Sequence, residues 1–77
     1  MTYERYLIVH RCCDEATRGN SAAFGAVLAS VLDRMGCPRA EIGLRMGLPL
    51  SRVRDYLTGP IDTAARTAAE GLIAEQP

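Results

Sequence analysis

The side chains of this 77-residue chain best suited to recognition chemistry are four arginines, Arg39, Arg45, Arg52 and Arg54, with Leu50, Ser51, Asp55 and Thr58 among them. A guanidinium offers a planar fork of donors that engages two acceptors at once, whether phosphate oxygens or the O6 and N7 edge of guanine. Arg52 and Arg54 suit guanine or its flanking phosphates, and Arg39 and Arg45 suit phosphates. Hydroxyls at Ser51 and Thr58 can meet the backbone or a base edge, and Leu50 can pack on a thymine methyl. Asp55 would repel phosphate and can instead orient Arg52 or Arg54. From Arg34 to Thr58, five arginines stand against Glu41 and Asp55, a net +3 in a chain whose formal net charge is zero. The positive field is thus concentrated where contact with a polyanion would need it.

Other chemistries find little to work with. The single histidine, His10, has no carboxylate at a spacing that suggests a dyad, and no glycine-rich phosphate loop or serine elbow is present. A chain this short can scarcely enclose a catalytic pocket, so no enzyme and no cofactor are expected. Cys12, Cys13 and Cys37 are odd in number and two are adjacent, which argues against a disulfide framework and for small buried or reduced thiols. His10 could join them only as a His-x-Cys-Cys run, which cannot aim all its ligands one way on a helix, so no metal is expected. Tyr6 to Val9 is too short, and too closely flanked by Glu4, Arg5 and Arg11, to be a signal peptide or a span. A cytoplasmic protein with no membrane partner is the expectation. With 48% hydrophobic and 23% charged residues the chain is ordinary folding material. Every basic residue is arginine, which together with the many alanines suggests a GC-rich genome, actinobacterial or phage.

The stretch from Arg39 to Gly59 explains how such side chains could be positioned. Ile42 and Met46, four apart, would face inward on one helix, with Gly43 between them where a crossing helix must approach closely. Gly47 can take the left-handed conformation that ends that helix, and Leu48 then plugs the core. Pro49 is welcome at the start of a second helix, whose Val53, Tyr56 and Leu57 turn inward and which Gly59 follows. Ser51, Arg52, Arg54, Asp55 and Thr58 are left facing out.

This stretch resembles the helix-turn-helix of the Cro-like or XRE-like phage repressor family. That family carries a small residue where Gly43 stands, glycine at Gly47, an aliphatic residue at Val53, an aliphatic or aromatic one at Tyr56 and often glycine at Gly59. Leu50 and Pro49 depart from it, since a polar residue and a capping Ser or Thr are usual there. The resemblance covers about a quarter of the chain closely. It implies duplex DNA as partner, with the second helix of the motif reading the major groove.

The rest of the chain reads as three more helices, giving an all-α, five-helix single domain over residues 1–77. Thr2 can cap an additional N-terminal helix within residues 1–20, striped by Tyr3, Tyr6, Leu7, His10 and Cys13 or Ala16. Ser21 can cap a second, carrying Phe24, Val27, Leu28, Val31, Leu32 and Met35 and closed by Gly36. The helix-turn-helix follows at 39–59. Asp62 can cap a last helix within 61–76, striped by Ala65, Ala68, Ala69, Leu72 and Ile73. Its small residues suit either closure of a small core or the seam of a homodimer, which would set two reading heads on a palindromic site. The zero net charge, Leu50, Pro49 and Asp55 also suit an alternative, a protein-interaction module that keeps the fold without DNA. Its partner would be RNA polymerase, a sigma factor, a toxin or another repressor.

Overall fold

A computed structural model describes residues 1–77 and contains five helices and no strand. They are α1 (Tyr3–Thr17), α2 (Ser21–Arg34), α3 (Arg39–Met46), α4 (Leu50–Thr58) and α5 (Thr63–Ala74). The all-α, five-helix class read from the sequence is therefore the observed one. Helix α2 is the axle: every residue from Gly25 to Leu32 is buried, because α1, α3, α4 and α5 all pack against it. Such all-round burial suits a segment apolar on every side. All five helices supply the one core, from Val9 and Cys13 through Val27, Leu28, Val31 and Leu32 to Ile42, Val53, Ala69 and Ile73.

Two caps fall where the residue types place them. Thr2 accepts from the Arg5 amide at 3.1 Å, and Asp62 from the Ala65 amide at 3.0 Å. The cap expected at Ser21 is instead Asn20, whose side chain accepts from the Ala23 amide. The chain turns one residue earlier than its glycine suggests, since Arg18 itself takes a left-handed conformation (φ 50°) before Gly19 does the same. Asn20 is then the extended residue at the helix mouth, and a carboxamide there does what a hydroxyl would have done one position later.

The stripe read on the N-terminal helix is rotated. Tyr6, Val9, Cys12, Cys13 and Thr17 are buried, whereas Tyr3 and Leu7 face outward. Small thiols and Val9 let α1 lie close to α2 and α5, and bulkier residues go to the rim. His10 is half-buried between Tyr6 and Phe24, edge-on to both, with ring centroids 5.9 and 4.9 Å away. Met35 and Ala68, expected inward, are exposed. The fully buried line of α5 is Ala65, Ala69 and Ile73, and Leu72, half-buried, packs beside it. That inner line closes the core of the monomer. Arg34 and Glu70, 2.8 Å apart, and a bond from Arg66 to the Ser30 hydroxyl tie α5 to α2 at its edge.

Candidate nucleic-acid interface

Helices α3 and α4 are joined by Gly47, Leu48 and Pro49 alone. Gly47 is left-handed (φ 68°), and its amide bonds back to Gly43. Gly43 is crowded by the turn and not by the crossing helix expected there: a Cβ would stand 2.7 Å from the Leu48 carbonyl oxygen, while Val53 of α4 would be at an ordinary 3.6 Å. Gly59 behaves differently from Gly47. It is extended, and a Cβ would press on the Asp55 carbonyl at 2.9 Å. Ile42, Gly43 and Val53 are buried and Met46, Leu48, Tyr56 and Leu57 half-buried, so the inward face of the pair is the one read from the sequence.

Neither helix of this pair has a side-chain cap, since each begins behind a proline, Pro38 or Pro49. Apart from the Arg52 amide, which bonds to the Pro49 carbonyl, their first-turn amides are left for solvent or an incoming acceptor, at the end where the helix dipole favours an anion. The two open ends meet. Arg39 begins α3, Leu50 begins α4, and together with Ser51 and Arg54 they line a surface depression of about 300 Å³. No carboxylate is among its lining residues. Leu50 is 58% exposed there. The Arg54 side chain is 66% exposed, with the Asp55 carboxylate 4.0 Å from its guanidinium.

The other residues expected at the interface lie elsewhere. Arg52 folds back over the Tyr56 ring, 5.4 Å from its centroid, with a long 3.4 Å bond to the phenol oxygen. That ring in turn lies over Gly25 of α2, where a Cβ would meet it at 2.7 Å. Thr58 is exposed near the far end of α4 and donates to the carbonyl of Arg54 at 2.9 Å. Arg45 is turned inward: it lies 5.8 Å over the Tyr6 ring, donates to the Met1 carbonyl and stands 3.6 Å from Glu41. The Cys37 thiol beside Glu41 holds that carboxyl below its usual range, and the Met1 amino group and Arg45 add to the effect.

Two features of this region escaped the sequence reading. Leu44 is 84% exposed on the outer side of α3. The spacing of Ile42 and Met46 already turns position 44 away from the core, so the signal was there. Gly25, the seat of Tyr56, carried none, because the contact joins residues 31 positions apart in the chain. Comparison with family models, with curated proteins and with solved structures found no match to this chain.

Proposed function

We propose that the chain is a sequence-specific duplex-DNA-binding regulator of transcription. In this reading α3, its three-residue turn and α4 form a helix-turn-helix, and the open face of α4 enters the major groove. The observation that carries the reading is the meeting of two uncapped helix starts with Arg39, Ser51 and Arg54 around one depression free of carboxylates. Amide donors, dipoles and guanidinium groups there all favour phosphate and guanine edges. A small repressor acting in the cytoplasm as a homodimer fits this chemistry, with half-sites about one DNA turn apart. The exposed outer side of α5, with Ala64, Ala68 and Gly71, is available for a two-fold contact.

One observation favours a second reading, a protein-interaction module. Leu44 and Leu50 are strongly exposed, while Arg45 and Arg52 are turned onto Tyr6 and Tyr56. An apolar head with half its arginines engaged suits a protein of the transcription machinery. Fluorescence anisotropy with a duplex pool enriched from random sequence, against scrambled duplex at low and near-physiological salt, separates the two. A regulator binds the enriched pool in preference, at Kd of about 10⁻⁸ M or tighter, and keeps that preference as salt rises. Weak binding that ignores sequence and vanishes with salt sinks the DNA reading and leaves the protein partner.

A further inference from the structure

Resting on the DNA-binding reading, we infer that Arg54 reads a guanine and Leu50 the 5-methyl group of a nearby thymine, while Arg52 reads no base and braces Tyr56. Leu50 and Arg54 are four residues apart, hence on one side of α4, and both border the depression. Their spacing of about 6 Å along the helix covers about two base-pair steps of roughly 3.4 Å. The thymine methyl is the apolar group on the major-groove edge of a base pair, and Leu50 is the apolar side chain that borders the depression. Next to it, Arg54 is largely exposed, and its one charged neighbour is the Asp55 carboxylate at 4.0 Å, too far for a hydrogen bond that would hold the guanidinium in place.

Arg52 points about 200° around the helix from Arg54, so one docking pose cannot present both to the groove. Its stacking over Tyr56, and the seat of Tyr56 on Gly25, put it at the seam between α4 and α2. Arg39 and Ser51, at the rim beside the helix starts, meet the phosphates that flank the two bases.

The test uses the full chain and a preferred half-site taken from the enriched pool. Each thymine is replaced in turn by deoxyuridine, which removes the methyl and nothing else, and Kd is read by anisotropy for wild type, Leu50→Ala, Arg54→Gln and Arg52→Gln. All three positions are exposed, and circular dichroism melts confirm that each variant folds. For wild type, one deoxyuridine position weakens binding about three- to fivefold, and Leu50→Ala erases that difference. Arg54→Gln loses about tenfold or more and relaxes the preference at one guanine. Arg52→Gln changes affinity less than about threefold and leaves base preference intact. The inference is overturned if no deoxyuridine matters, if Leu50→Ala keeps the deoxyuridine effect, or if Arg52→Gln is the variant that relaxes base preference. A wild-type protein that prefers no duplex over scrambled sequence overturns the DNA reading itself, a result distinct from failure of this division of labour.

Discussion

Cys13 is fully buried, and that burial pushes its thiol up to about 12, with Cys12 and Glu70 adding in the same direction. Burial raises the thiols of Cys12 and Cys37 and the phenol of Tyr6 as well. In each case the folded state prefers the neutral form more than the unfolded chain does. For Cys13, the contribution to stability is complete below the unfolded value of 9.0 and is lost as pH rises from there toward about 12. The urea midpoint should therefore fall across that window, and Cys13→Ala should fall less steeply from a lower start. At pH 8 a thiol reagent should label the native protein only as fast as it opens. The three cysteines behave as core side chains, as their number and spacing suggest. The arginines were less legible, because type and spacing say that a guanidinium faces out without saying what it meets. Arg45 finds Tyr6 and Glu41, and Arg52 finds Tyr56, whereas Arg54 stays largely exposed with only the Asp55 carboxylate, 4.0 Å away, beside it.

At the level of elements, the α3–α4 pair is where local sequence carried most. Its glycine, proline and apolar residues each impose a backbone or packing condition within a few residues of themselves. Gly43 is the sharpest case, since the atom opposing a Cβ would be the Leu48 carbonyl oxygen, part of a turn with little room to move. Gly43→Val should cost about 1–3 kcal/mol in urea unfolding, because the Leu48 carbonyl of the turn must be pushed off α3. A variant as stable as wild type would show that the turn does not need to lie this close to α3. Helix α1 was harder to read. Its apolar residues are spread around the helix, so Tyr3 and Leu7 were as eligible for the core as Val9 and Cys12. What selects among them is the closeness of α2 and α5, a property of neighbours and not of the segment.

For the molecule as a whole, α1 is a structural member of the domain. Its most extensive packing is against α5, at the opposite end of the chain, and then against α2. Val9 and Cys13 lie in the same buried cluster as Ala69 and Ile73. A core drawn from only 77 residues has little to spare. Deleting residues 1–18 should therefore abolish the cooperative thermal transition followed by circular dichroism, even though α2 to α5 remain intact in sequence. A fragment that still melts sharply would make α1 an appendage. The same packing uses the inner alanines of α5 inside the monomer, so any contact between copies must involve other residues.

By itself, the sequence determined the five helices, two of the caps, the turn after α3 and the inward face of the α3–α4 pair. These depend on residue type and on spacing along a single helix, and such interactions reach only a few positions. Only the tertiary structure decided which face of α1 is buried, that Tyr56 sits on Gly25, that Arg45 and Arg52 are engaged, and that Arg39 meets Leu50, Ser51 and Arg54 at one depression. Those outcomes depend on how separate helices meet, and long flexible side chains settle on whatever partner that meeting brings within reach.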